Sequence, residues 1–198
     1  MIARKFNLEH IDMGKTLRAV AKKDTPLGKE IYNIQNITKT LVPSRILREV
    51  LSLKLNSIAR EQGIIFDGVP RTLDQTEYIE EMMQEVGRHI DKVIFINVSE
   101  EESLKRISKR RVCHDCRKVF ILGKDIQEGD KCSKCGGEIF QREDDTSGGI
   151  KKRLEIFKTE TTPVLEFYRQ KGMLVEIDGN QTIEKVFEDI VNILEKND

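Results

Sequence analysis

The chain has no surplus of either charge: 34 lysines and arginines stand against 34 aspartates and glutamates, for a formal net charge of zero. A neutral molecule has no global field to draw it onto nucleic acid or an anionic membrane, so any anion site must be local. No apolar run approaches the roughly 18 to 20 residues that span a bilayer. The opening Met1-Ile2-Ala3-Arg4-Lys5-Phe6 also lacks the apolar stretch of a secretion signal. These absences predict a cytoplasmic protein with neither membrane nor nucleic-acid partners. Internal repeats and low-complexity tracts are missing too. Cysteine is absent outside residues 113–135, which excludes a disulfide framework spread over a secreted domain.

What is present suits one α/β domain with a small insertion: 198 residues, 38% of them hydrophobic, can fill one core. Short β-branched runs at 63–67, 92–98 and 173–177, with a weaker one at 9–12, read as buried parallel strands. Helical patterns cover 14–23, 26–39, 44–62, 72–86, 99–109, 149–170 and 182–196. Strands alternating with helices predict an open, largely parallel sheet with flanking helices. Residues 110–145 interrupt that rhythm as a small inserted module, and the chain opens on what reads as the tail of a helix.

All four cysteines fall in the insertion as Cys113-x-x-Cys116 and Cys132-x-x-Cys135, fifteen residues apart. Two such knuckles can place four thiolates tetrahedrally around Zn²⁺, and four thiolates leave no coordination position open for water. The spacing therefore predicts a structural zinc rather than a catalytic one, against the alternative of four unrelated thiols. With so little apolar sequence around it, the module would draw most of its folding free energy from the metal. His114, inside the first knuckle, reads as an exposed residue rather than a ligand.

Asp67-Gly68-Val69-Pro70-Arg71-Thr72 follows an apolar strand and precedes a helix, which puts it at the carboxyl edge of the sheet, where open α/β folds bind ligands. Asp67 and Arg71 would face that crevice; the alternative is an ordinary strand-turn-helix corner with a surface arginine. Arginines recur at the module boundaries: Arg106, Arg110 and Arg111 before the cysteines, Arg142 after them and Arg153 in the next helix. Guanidinium forks pair bidentately with phosphate oxygens, so the grouping suits a polyphosphate.

With these pieces in view, the chain resembles the adenylate kinases of the zinc-lid type from about Ala3 to its end. The resemblance is carried by Gly14-x-x-Leu17-Arg18, Thr25-Pro26-Leu27-Gly28, Leu41-Val42-Pro43, the Asp67 to Thr72 run with Gln75, Arg110-Arg111-Val112-Cys113, Arg142-x-Asp144-Asp145 and Ile177-Asp178-Gly179. It implies reversible phosphoryl transfer between Mg·ATP and AMP by a monomer. The implied parts are a core (1–109 and 146–198), a monophosphate-binding segment within it (13–43) and a zinc lid (110–145). Arg18, Arg71, Gln75, Leu41, Val42 and Gly68 would hold AMP. Arg71, Arg110, Arg142 and Arg153 would stabilise the transferring phosphoryl, Arg106 and Arg110 would serve ATP, and Asp67 would orient the water shell of Mg²⁺.

Three departures from the family pattern accompany it. Met13 and Lys15 stand where the family carries threonine and aspartate, and Val69 stands where phenylalanine is usual. The third is larger: the 198 residues contain no G-x-x-x-x-G-K-[ST] run, since the first glycine that Met13-Gly14-Lys15-Thr16 would need falls at Glu9. The expectation is a chain without the family's central N-terminal strand or its main ATP anchor, either begun at an internal methionine or degenerate. A kinase for another nucleoside monophosphate, or an inactive nucleotide-binding or zinc-ribbon interaction protein, are the alternatives.

Overall fold

In the computed structural model of the chain, all residues except Lys39, Glu143, Asp144, Asn197 and Asp198 are described. Asp144, part of the motif after the cysteines, therefore lies outside the described residues. The chain divides into two compact units, one of Met1–Phe95, Glu160–Val175 and Phe187–Asp198, the other of Ile96–Thr159 and Glu176–Val186.

The elements run α1 (Ile2–Lys5), β1 (Glu9–Asp12), α2 (Met13–Ala21), α3 (Pro26–Asn33), α4 (Ser44–Leu55), β2 (Ile64–Asp67), α5 (Leu73–Glu85) and β3 (Val93–Asn97). There follow α6 (Glu100–Ser108), β4 (Arg110–Cys113), β5 (Val119–Ile121), β6 (Ile139–Phe140), α7 (Ser147–Ile156), α8 (Thr162–Gln170), β7 (Leu174–Asp178) and α9 (Ile183–Glu195). Side-chain caps begin most helices, because the first turn of a helix has N–H groups with no partner of their own. Asp12 accepts from Lys15 N at 2.8 Å, Thr25 from Gly28 N at 3.0 Å and Thr72 from Gln75 N at 3.2 Å. In α6, Glu100, Glu101 and Glu102 fill the first turn and Lys105 and Arg106 the last, the order that the helix dipole favours.

Two helices end earlier than their patterns predict. The stretch read as 44–62 stops at Leu55, where its buried face of Ile46, Leu47, Val50, Leu51 and Leu55 runs out. There the Ser57 hydroxyl donates to the Lys54 carbonyl at 2.7 Å and competes with helix continuation. The stretch read as 149–170 is divided by a π-helical turn, Phe157–Thr161. Pro163 lacks the N–H that a regular turn needs, so a continuous α-helix cannot pass it. A similar π turn, Ile34–Thr38, closes α3.

The predicted strands form, in parallel couples. β1 pairs with β2 in the register Glu9↔Ile64 to Asp12↔Asp67. β3 pairs with β7, where Val93 N donates to Met173 O at 3.0 Å and Gly179 N to Asn97 O at 2.8 Å. Among the described residues these couples are separate two-stranded sheets rather than one open sheet. Each of these four strands then keeps an edge without a strand partner among the described residues, and of their residues expected to be buried only Ile11 and Ile177 are; Ile96 is 45% exposed.

The first unit's core lies on one side of the β1–β2 couple. Ile11 and Met13 meet Leu17 of α2, Ile31 of α3, Ile46, Val50 and Leu51 of α4, and Ile79 and Met82 of α5. In the second unit, β5-β4-β6 form an antiparallel sheet whose small core is Cys113, Phe120, Ile126 and Cys132. No helix of the described residues is long and apolar enough to cross a membrane.

Candidate nucleotide site and metal centre

Parallel pairing brings the carboxyl ends of β1 and β2 to one edge, where Asp12 and Asp67 are register partners. The two chains leave that edge differently. After Asp12 the chain enters α2 at once. After Asp67 it turns through Gly68, whose φ of +86° is a conformation that glycine adopts without strain, and through a cis Val69–Pro70 bond to Arg71. The predicted residues of this region are thereby gathered on one rim. The Arg71 guanidinium Nε donates to Gly68 O at 2.8 Å, and Arg71 N donates to Gln75 Oε1 at 2.8 Å. Gln75 Nε2 reaches the Val42 carbonyl at 3.4 Å, so one buried amide ties α5 to the segment that holds Leu41 and Val42. Arg71 O also accepts from Thr161 Oγ1 at 3.1 Å. Asp67 is exposed, with His10 Nε2 at 3.1 Å from its Oδ2.

Two of the residues singled out in the sequence are buried. Met13, which stands where the family pattern has a threonine, is only 2% exposed and belongs to the apolar core with Ile11 of β1. Gln75, expected to hold AMP, is 3% exposed, and its amide is used at both ends.

In the second unit the arginines converge on an acid that the sequence reading gave no role. Asp145 has a fully buried carboxylate. Arg110 Nε donates to its Oδ2 at 2.8 Å, Arg110 Nη2 to its Oδ1, and Arg153 Nη1 approaches Oδ1 at 3.3 Å. Arg142 is half-buried, and its carbonyl accepts from Asp145 N at 3.0 Å. The adjacent pair Asp144-Asp145 was visible in the motif, but which of the two would be buried between guanidiniums 35 and 8 residues away was not. Arg106 is used along its edges: Nε donates to Glu102 at 2.7 Å, Nη1 to Gly179 O at 2.8 Å and Nη2 to Asn180 O at 3.2 Å. The Arg106 hydrogen bond in turn lowers the pKa of Glu102. With its edges occupied, the planar face of Arg106 is the part left for stacking.

The four cysteine sulfurs lie within 4.8 Å of one another, Cys113 and Cys132 buried and Cys135 exposed. His114 is exposed and sits 3.0 Å from Asp115, apart from that group. A tetrahedral Zn–S site with bonds near 2.3 Å needs sulfurs roughly 3.8 Å apart, and Cys113–Cys135 and Cys116–Cys132 are each 3.5 Å apart. The donor set fits zinc. Burial resists ionisation of Cys132, but N–H donors from Lys134 and Cys135 and neighbouring thiols outweigh it and bring its pKa down to about 6. Cys135 goes the other way: an N–H from Gly137 favours its thiolate, yet Cys113 and Cys116 hold it protonated to about 12. Without a cation, one sulfur ionises easily and another resists.

Comparison with known proteins agrees with this arrangement. A family model described as adenylate kinase matches residues 1–173. This chain belongs to the adenylate kinase family. It is 38% identical to the adenylate kinase of Archaeoglobus fulgidus over 196 residues, covering 98% of this chain and 90% of that protein. It is 37% identical to that of Petrotoga mobilis over 194 residues, covering 98% and 88%. The adenylate kinase of Bacillus cytotoxicus is 38% identical over 191 residues, covering 96% and 88%. Family membership gives the rim of Asp67, Gly68, Arg71 and Gln75 a context that an ordinary strand-turn-helix corner lacks.

Proposed function

We propose that the protein catalyses reversible phosphoryl transfer between ATP and AMP, giving two ADP, as a cytosolic monomer. The observation that carries this reading is the Asp67–Gly68–Arg71–Gln75 rim at the carboxyl edge of a parallel couple in a chain of the adenylate kinase family. Arg18 and Arg71 pair with the AMP phosphate, Leu41, Val42 and Gly68 line its pocket, and Gln75 sets the pocket wall or turns to the adenine edge. Arg106 stacks on the ATP base. Arg110, Arg142 and Arg153 neutralise charge on the transferring phosphoryl, with Asp145 holding two of them at the ready. Such transfer depends on positioning and charge neutralisation more than on covalent chemistry. Mg²⁺, when bound with ATP, would withdraw charge from the phosphates, and Asp67 would hold it through its water shell.

The division of labour follows the sequence reading: a core of 1–109 and 146–198, a monophosphate segment at 13–43 and a zinc lid at 110–145. Cys113, Cys116, Cys132 and Cys135 hold a structural Zn²⁺.

A coupled assay for ADP formation tests the reading. Because the 198 residues contain no G-x-x-x-x-G-K-[ST] run, turnover is expected to lie more than about 10²-fold below that of a version supplied with a strand and phosphate loop, the cost of losing even one transition-state donor. AMP-dependent ADP formation by the supplied version supports the reading. Its absence there would overturn it.

A further inference from the structure

One acid at the rim has no part in the roles above. Asp12 ends β1 and caps α2, and its Oδ1 accepts from Lys15 N at 2.8 Å. The same oxygen lies over Gly14. A Cβ on Gly14 would stand 3.4 Å from Asp12 Oδ1, 3.0 Å from Arg18 Nη1 and 3.5 Å from Arg18 Nη2. The Asp12 carboxylate and the Arg18 guanidinium thus converge on the space that glycine leaves free in the first turn of α2. The neighbouring acid is engaged elsewhere, since Asp67 meets His10.

We propose that Asp12 is a positioning residue for AMP binding: it is the resident counter-ion of Arg18, and the phosphate of the incoming nucleotide displaces it. This rests on the assignment of Arg18 to the AMP phosphate. An anion at a helix N-terminus is stabilised by the helix dipole and by free N–H groups. An incoming phosphate wants the same groups and the same guanidinium, so the carboxylate competes with it. The competition holds Arg18 folded back over Gly14 before binding and lowers the affinity for every ligand that bears a phosphate there. The Gly14 surface is part of the device, because a side chain at that position would push the guanidinium away.

Asparagine caps helices about as well as aspartate, so Asp12→Asn removes the charge and keeps α2. Calorimetric titration of the full chain with AMP and with adenosine is the test, alongside thermal unfolding. Asp12→Asn is expected to bind AMP about three- to tenfold more tightly, with adenosine affinity and melting temperature unchanged. In an Arg18→Ala background the same substitution should have no effect on AMP, since the coupled partner is gone. Equal or weaker AMP binding by Asp12→Asn in the wild-type background would overturn the proposal, as would an equal gain for adenosine. A wild-type chain that binds no AMP would instead defeat the functional reading beneath it.

Discussion

The two units hold themselves together by different means. In the first, fourteen buried residues from β1, α2, α3, α4, α5 and the segment around Val42 form one apolar cluster. In the second, the cysteine module has a core of only Cys113, Phe120, Ile126 and Cys132, and two of those four are metal-type ligands. Burial contributes roughly 1.5–3 kcal/mol per large aliphatic or aromatic side chain, so the first cluster can be self-sufficient, while Phe120 and Ile126 alone cannot offset the ordering of a whole module. The same chain therefore contains one part specified by apolar periodicity and another specified by ligand spacing.

The largest expected effect separates them. Removing zinc with a chelator, or replacing Cys132 with serine, should unfold the cysteine module and leave the α2–α5 region folded, because structural zinc supplies on the order of 10 kcal/mol to such modules. Hydrogen exchange resolves the outcome: protection is expected to vanish in β4, β5 and β6 and to persist in α4 and α5. Protection that persists in both would show that the module does not depend on metal. The same comparison has a pH dependence. Thiolates must lose their protons to bind a metal, so acid competes with zinc for all four cysteines; in the metal-free cluster the N–H donors around Cys132 already lower its pKa and favour its thiolate. Zinc content measured after dialysis should hold at about pH 7.5 and fall as the pH is lowered into the acid range.

A smaller effect breaks the other side of the comparison. Leu51, 1% exposed on the buried face of α4, packs in the middle of the apolar cluster. Leu51→Ala should cost about 3 kcal/mol by leaving a cavity, read in the denaturant unfolding of the first unit, while zinc stoichiometry stays at one per chain. Loss of zinc in this variant would mean that the two units are not separable in the way their cores suggest.

The smallest effect refines the account of the apolar unit. Tyr168 is fully buried, and its hydroxyl has no hydrogen-bond partner among the described residues; burial, with the nearby charge of Glu80, pushes the phenol well above its ordinary range. A buried hydroxyl without a partner contributes nothing that replaces its lost hydration. Tyr168→Phe should therefore be neutral or stabilise by up to about 1 kcal/mol in thermal unfolding. A clear loss of stability would show that the hydroxyl is satisfied in solution.

The legibility of the molecule in its sequence follows the same divide. Cysteine spacing fixed the metal-type cluster without any structure, because two knuckles with the right separation have few other uses. Apolar runs placed the strands at 9–12, 64–67, 93–97 and 174–178 to within a residue or two. The ends of α4 and the break before α8 were missed because they depend on single interactions, the Ser57 hydroxyl and the missing N–H of Pro163, that a pattern of apolar residues does not register. At the candidate site, the Asp67 to Gln75 turn was legible since a strand, a glycine and a proline determine where its side chains go. Asp145 as the meeting point of Arg110 and Arg153 was not, because a buried charge cluster joins residues distant in sequence. Nor was Asp12: its cap role needed the helix to be seen starting at Met13 rather than Gly14.

The central claim is that the rim at the end of β2 binds a nucleoside monophosphate through Arg71. Calorimetric titration of the 198-residue chain with AMP, compared with Arg71→Ala, tests this without requiring turnover. A charge-assisted pair to phosphate contributes about 1.5–3 kcal/mol, so AMP should bind the wild-type chain and bind Arg71→Ala about ten- to a hundredfold more weakly. Equal affinity in the two proteins would place the phosphate elsewhere and contradict the account.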